Sequence, residues 1–387
     1  MTVRGLAGLL LTAGASVALD YCGGEYSLCD DGSCALVNST GCGVCDAGQY
    51  VCPFDNTCLD DLSDFRQCPG LKGTHLDATL SEEERLDALV SRVNVSDMIH
   101  QLVNNAPAIE AAAVPAYNWL NDNEHGVKGT ALAAVYPMGV SLGASWSFDL
   151  LKEVGAAIGV ESRSTHNTLA DKSGNQCGST STGNVVANGC GITLYAPNIN
   201  LVRDPRWGRA EEVYGEDPYL TGELAVAMVT GMQGNEEGEV SAAGGQALMS
   251  GASCKHFAVY QNEDQPEERT SLDANVDARD LWETYLPVMR ACVVRAKATH
   301  VMCSYNGVNG MPTCAHPDLL NGILRETWGF DGFVVSDYDA WVNLVTTHHY
   351  VDTYGEAATV GLNAGMDQEG GFGGKLSQLF LPIILSA

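Results

Sequence analysis

"GFDGFVVSDYDAW" (residues 329–341) sets a short apolar run between a glycine-containing turn and a cluster of polar groups. Phe333, Val334 and Val335 are β-branched or aromatic, the residue types that fill a buried strand. The run ends in Ser336, Asp337, Tyr338 and Asp339. A carboxylate at the tip of an apolar strand either caps a following helix or belongs to a site. The neighbouring segments bear on that choice. "GITLYAPNINLV" (191–202), "QALMSGASCKHF" (246–257) and "THVMCSYN" (299–306) are further strand-like runs. Between and after them lie helical patterns: "PYLTGELAVAMVTGMQG" (218–234), ending at Gly231 or Gly234, "ARDLWETYLPVMRACVVRA" (278–296), and "EAATVGLNAG" (356–365) with a glycine C-cap. Strands alternating with helices imply a parallel sheet with helical crossovers. An α/β fold of the (β/α)8 TIM-like barrel type is the best fit to roughly 300 residues. A doubly wound open sheet is the second choice, since no G-x-G-x-x-G stands at a strand-to-helix turn.

The remaining chain sets the boundaries. Of 387 residues, 45% are hydrophobic, enough for a sizeable core, and the net charge is −28. So acidic a chain is repelled by nucleic acid and by anionic membrane surfaces, whereas a neutral substrate meets no such barrier. Residues 1–18 have the features of a secretory signal peptide: Arg4, an apolar stretch from Leu6 to Ala13, and the small-x-small Ser16-Val17-Ala18. No later stretch approaches 18 uninterrupted apolar residues, so no membrane span is expected. Eight of the 14 cysteines fall between Cys22 and Cys68. Behind a leader this reads as a Cys-rich disulfide module, residues 19–70, in a secreted, extracellular protein. A zinc site at "CGVC" is disfavoured because no second C-x-x-C pair follows. Asn38 and Asn94 stand in glycosylation sequons. Ser81 and Glu84 form a capping box, and Leu86, Leu89, Val90, Val93 and Val95 approximate one helical face. The barrel domain is expected over residues 75–370, with an atypical tail over 371–387.

Barrel enzymes place their chemistry at the C-terminal ends of strands. Here five such ends are polar: Glu124, His125 and Lys128 in "NEHGVKG"; Arg203, Asp204, Arg206, Trp207 and Arg209 in "NLVRDPRWGR"; Lys255 and His256; Tyr305 and Asn306; and Asp337. Buried charges are costly unless paired. Convergence on a site for a polyhydroxyl ligand accounts for all five together.

These residues also carry a resemblance. "PNINLVRDPRWGRAEEVYGEDPYLTGE", "KHFAVYQNE", "VMCSYNGVNGMPTCAHPDLLNGILRETWGFDGFVVSDYDA" and "LNAGMD" are similar to family 3 glycoside hydrolases, in order, across roughly residues 80–370. "MCSYNGVNGMPTCA" with "SDYDA" looks most like the β-xylosidase and arabinofuranosidase branch, although Tyr338 differs from the Trp of many β-glucosidases of the family. The resemblance implies retaining hydrolysis of terminal β-linked sugars, β-xylosidase-like, through a covalent glycosyl-Asp337 intermediate. β-Glucosidase activity is the alternative within the class. It further implies sugar-binding roles for Asp122, Lys128, Arg209, Lys255, His256 and Arg269, and support of the nucleophile by Tyr305. Glu124 competes with Asp122 for its role, and Trp119 and Tyr338 are candidates to stack on a sugar face, with a place in the core the equal alternative for Trp119. The expected partner is an oligosaccharide or glycoside, with no nucleic acid, no cofactor and no metal.

A retaining glycosidase needs a second carboxylate as acid and base. In the family it lies in a C-terminal α/β domain, expected in the full-length protein and missing from this chain. A fragment, an acid from a partner chain and a non-catalytic sugar-binding fragment are the three readings. Glu211, Glu212 and Glu216 are weaker substitutes, better read as parts of a structured loop. A Schiff-base aldolase using Lys255 is disfavoured, as are metal ligands at His348 and His349. Cys303 with Cys314, and Cys177 with Cys190, are candidate local disulfides.

Overall fold

Alternation along each strand divides its side chains between two cores. In a computed structural model of the chain, β1 (Thr193–Leu194), β2 (Gly251–Phe257), β3 (His300–Cys303) and β4 (Phe333–Ser336) form a parallel sheet in which β2 pairs β1 and β3, and β3 pairs β4. Successive strand residues face opposite sides. Val301, Cys303 and Val334 join the large core shared with the helices, while Met302, Phe333 and Val335 join a second cluster with Ala106, Trp119 and Tyr195. Both faces are buried, which is why these strands read as apolar runs broken only by a few buried polar residues such as Lys255, His256 and His300. The structure describes residues 71–371 apart from 129–132, 174–190, 242–246 and 265–266, together with four short strands before residue 60.

Backbone bonds close the sheet into a ring. Gln368 bridges Val335 and Glu369 bridges Val103, both in parallel. Residues 105–106 pair antiparallel with 117–118, and the Tyr195 amide donates to the Asn121 carbonyl. Seven segments are thereby linked edge to edge: 102–106, 117–121, 193–198, 251–257, 300–303, 333–336 and 366–369. The second cluster draws on five of them. The arrangement is α/β and TIM-barrel-like, and among the described residues the ring is irregular and begins with an antiparallel pair. Only about ten residues, including Pro107 and Pro115, separate those two segments, fewer than a parallel crossover needs.

Three helices match the sequence patterns, α1 (Glu82–Val90), α3 (Pro218–Gln233) and α4 (Tyr354–Ala364), whereas the long α2 (Phe148–Ser173) was not read from the sequence. Ser81 and Glu84 form the capping box of α1, and Gly234 and Gly365 end α3 and α4 in the left-handed conformation. α2 and α3 touch backbone to backbone. A Cβ on Gly155 or Gly159 would stand 2.3 Å from the carbonyl oxygen of Met228 or Met232, and one on Gly231 would stand 2.3 Å from that of Lys152. Residues 278–295 form one helical run that includes two π-helical stretches, Leu281–Tyr285 and Ala291–Arg295. A Cys254–Cys292 disulfide ties this run to β2, and Cys303–Cys314 ties the end of β3 to the following loop, as its spacing suggests.

Before residue 60, Tyr26–Leu28, Cys34–Leu36, Tyr50–Val51 and Cys58–Leu59 form a small sheet. The leader, the pairing of the eight N-terminal cysteines, the Cys177–Cys190 pair, Asn38 and the 372–387 segment lie outside the described residues. Asn94 is exposed and caps the Val95–His100 helix, taking the Asp97 amide on its side chain. No helix among the described residues is long and apolar enough to cross a membrane.

Candidate active site

The end of β2 departs from regular pairing. Val301 lies opposite Cys254 and Cys303 opposite Phe257, so three steps on one strand face two on the other. Such a bulge re-aims side chains, and Lys255 and His256, although consecutive, both point into one polar cluster. Lys255 Nζ stands 2.5 Å from Glu124 Oε1 and 3.4 Å from Asp122 Oδ1. Asp122 also holds Lys128 Nζ at 2.5 Å, near the solvent-exposed rim. Burial opposes the Lys255 charge, but Glu124 and Asp122 outweigh it and hold the ammonium above its ordinary range. A lysine so held is not the free amine that a Schiff-base mechanism requires. Burial likewise raises Asp122, yet Lys255 and Lys128 bring it down to about 2. Glu124 goes the other way: burial pushes it up, with Asp122 and Glu212 adding repulsion and Lys255 opposing.

The cluster continues without a break to Asp337. Asn198 donates its backbone amide to Glu124 Oε2 and its side-chain amide to Glu212 Oε2, each at 3.0 Å. Arg209 grips Glu212 with two bonds of 2.8 and 2.6 Å and lies over the Tyr260 ring. Arg209 Nη1 also stands 3.4 Å from His256 Nε2, which is 3.3 Å from Asp337 Oδ2. Asp337 is 7% exposed, and its Oδ1 accepts the Tyr338 amide at 2.7 Å. The Tyr305 hydroxyl lies beside Asp337, and burial together with the Asp337 charge raises it well above its ordinary value. Burial pushes the Asp337 carboxyl up, opposed by Arg209, Lys255, the Tyr338 amide and Arg269. Burial together with Arg209, Lys255 and Arg269 drives His256 well below its ordinary value, so its ring is neutral.

Arg269 is part of the same arrangement. Its guanidinium lies 4.3 Å from the Tyr305 ring centroid and pairs with Glu263, which also receives the Tyr260 hydroxyl. The structure thus gathers Asp122, Lys128, Arg209, Lys255, His256, Arg269, Tyr305 and Asp337 into one network. Tyr338 joins it through its backbone amide, and its half-buried ring packs against the main core. Trp119 is corrected: it is 4% exposed in the inner cluster, edge-on to Phe333, and offers no platform for a sugar. Arg206 pairs with Asp204 on the surface. Glu212 is held ionised by Arg209 against the effect of burial, so it is no proton donor. His348 Nε2 contacts the Tyr305 carbonyl at 2.7 Å. No cluster of three metal-ligating groups occurs among the described residues.

Sequence reasoning did not single out Asn198 and Asn200. Asn200 exchanges two backbone bonds with His256, and its Oδ1 lies 2.8 Å from His256 Nδ1. A signal existed: in "NIN" the two asparagines alternate with Ile199, which enters the core, so period two puts both on the opposite face.

The chain matches the model of the glycosyl hydrolase family 3 N-terminal domain over residues 75–369. It is 35% identical over 312 residues to β-xylosidase/α-L-arabinofuranosidase 2 of Medicago sativa subsp. varia, covering 77% of this chain and 37% of that protein. It is also similar to the solved structure of an exo-β-xylosidase of the family in complex with a xylobiose aziridine activity-based probe, with TM-score 0.66, 27% identity, and 79% of this chain against 38% of that one. The structure of β-glucosidase 3B from Thermotoga neapolitana in complex with glycerol matches with TM-score 0.57 at 27% identity, covering 76% of this chain and 37% of its own. The chain therefore spans less than two-fifths of the length of these proteins.

Proposed function

As the chain belongs to glycosyl hydrolase family 3, we propose that it carries the sugar-binding and nucleophile half of a retaining O-glycoside hydrolase acting on terminal β-linked sugars, xylose foremost. The observation that carries this is Asp337, buried at a strand tip with Tyr305, His256, Arg209 and Arg269 around it. In this reading an Asp337 oxygen attacks the anomeric carbon as the bond to the leaving oxygen breaks. The resulting glycosyl ester is then hydrolysed by water. Asp122, Lys128 and Lys255 supply acceptors and donors for ring hydroxyls. Arg209 and Arg269 favour the ionised nucleophile against burial.

The acid/base carboxylate is assigned, by family resemblance, to a further α/β domain. Of the carboxylates nearest the nucleophile, Glu212 is tied to Arg209, and Glu124 and Asp122 to Lys255. A leaving group that needs no protonation tests the reading directly. The chain is mixed with a dinitrophenyl β-xyloside and, separately, the β-glucoside. The expected result is one equivalent of dinitrophenolate released rapidly from the xyloside, absent in Asp337→Asn. A larger burst from the glucoside supports the β-glucosidase alternative. No burst from either supports sugar binding without catalysis. A leader and a disulfide-stapled module fit secretion into the medium that holds such glycans.

A further inference from the structure

Both ends of the Asn200 amide are committed. Its Nδ2 donates to the His256 carbonyl at 2.9 Å, and its Oδ1 accepts the His256 backbone amide at 3.0 Å. A backbone N–H needs an acceptor and a carbonyl needs a donor, so the amide has one orientation. That same Oδ1 lies 2.8 Å from His256 Nδ1. An amide oxygen only accepts, so the proton of the neutral ring is on Nδ1. The partner of one ring nitrogen thereby decides the state of the other: Nε2 carries a lone pair. It faces Asp337 Oδ2 at 3.3 Å and Arg209 Nη1 at 3.4 Å. The arrangement is packed in, because Asn200 is 6% and His256 1% exposed, and the Asn200 backbone N–H donates to Asn198 Oδ1 at 3.2 Å.

We propose that Asn200 is a positioning residue for the nucleophile: by fixing the Nδ1–H tautomer of His256, it makes Nε2 an acceptor for the proton that Asp337 carries below its acid limb. The proposal rests on Asp337 being the nucleophile. An Nε2 without a hydrogen and an ionised Oδ2 at this distance are two acceptors facing each other, with Arg209 Nη1 the one donor near the Nε2 lone pair. A proton on Oδ2, pointing at Nε2, relieves that contact. Asp337 becomes reactive when this proton leaves to solvent and the Nε2 lone pair is left to Arg209 Nη1, already 3.4 Å away. The groups facing His256 from every side are Arg209, Lys255, Arg269, Tyr260 and Asp337. All of the cations oppose a second ring proton. A neutral histidine of the other tautomer would instead donate from Nε2 to the carboxylate and make Asp337 a stronger acid.

The test uses the full chain with 15N-labelled histidine. The wild-type His256 is expected to show a pyrrole-type Nδ1 and a pyridine-type Nε2. In Asn200→Ala the Nδ1 proton has no acceptor, so the tautomer changes to Nε2–H. The acid limb of the rate of trapping by a 2-fluoro-xylosyl probe then moves about one pH unit lower. Asn200→Asp keeps acceptors for both His256 N–H groups, although it loses the donor to the His256 carbonyl, and retains the Nδ1–H of the wild type, which covers the case in which Asn200→Ala does not fold. A pyridine-type Nδ1 in the wild type overturns the proposal, as does an Nε2–H pattern in Asn200→Asp. A tautomer change in Asn200→Ala with an unmoved or raised acid limb also overturns it. The nitrogen pattern is read without sugar, so failure of the nucleophile assignment shows separately, as no adduct on wild-type Asp337.

Discussion

Replacing Arg209 with methionine removes the cation with the largest pull on Asp337. Arg209 Nη1 is 3.4 Å from His256 Nε2, and that nitrogen is 3.3 Å from Asp337 Oδ2. The two charges are therefore at most about 7 Å apart, and at an effective dielectric of about 20 their attraction is roughly 2.4 kcal/mol. That corresponds to about 1.5 to 2 pH units in the titration of Asp337. The sign follows from the groups present. Burial already raises the carboxyl, Arg209 lowers it, and its loss lets it rise further. Glu212, released from its pair, adds repulsion in the same direction. The assay is the pH dependence of trapping by a 2-fluoro-xylosyl probe at low probe concentration. The acid limb in Arg209→Met is expected to move up by that amount. At higher pH the maximal rates converge, while weaker sugar binding persists as a higher half-saturating probe concentration. Arg209→Lys keeps the charge without the two-pronged grip and is expected to retain most of the wild-type limb. An acid limb that stays in place, or moves down, in Arg209→Met would refute the electrostatic account of the nucleophile.

Glu369, 1% exposed on the segment that closes the ring, is pushed up to about 8 by burial. The folded state keeps its proton where the unfolded state releases it, so stability falls as pH rises from about 4.5 to about 8. Glu369→Gln is expected to gain Tm over the wild type progressively across that window, and a gap independent of pH would contradict this. Gly159→Ala adds a Cβ 2.3 Å from the Met232 carbonyl. Although alanine is the better helix former, overpacking of about 1–3 kcal/mol should win, and a raised Tm in thermal unfolding would show that α2 and α3 are not in backbone contact. Removing the Cys254–Cys292 disulfide by a double alanine substitution opens a link across 38 residues. Denaturant unfolding should report a loss of about 2–4 kcal/mol, and no change in midpoint would argue against the bond.

How much was legible in advance follows from where each signal is stored. Phe333–Ser336, His300–Cys303 and Gly251–Phe257 were readable because burial on both faces leaves short, largely apolar runs at their cores. The charged residues after those runs stood out for the same reason: Lys255, His256 and Asp337 interrupt apolar stretches. The closure of the ring was not readable. It depends on two-residue pairings at 105–106 and 117–118 and on isolated bridges at Gln368 and Glu369, too short to leave a periodic pattern. Trp119 illustrates the converse, since an aromatic beside polar residues looks the same in sequence whether it faces a ligand or Phe333. Asn198 and Asn200 were overlooked because asparagine after a strand ordinarily signals a turn. Their importance lies in hydrogen bonds to Glu124, Glu212 and His256, from 14 to 74 positions away. The bulge that aims Lys255 and His256 together has no local sequence signature.

The central claim is that Asp337 attacks the sugar. The direct measurement is to incubate the chain with a 2-fluoro-xylosyl fluoride above the acid limb, digest it, and locate the adduct by mass spectrometry. One sugar per chain is expected, carried by the peptide that contains Asp337 and lost in Asp337→Asn. An adduct on any other residue, or none at a pH where Asp337 is ionised, would contradict it.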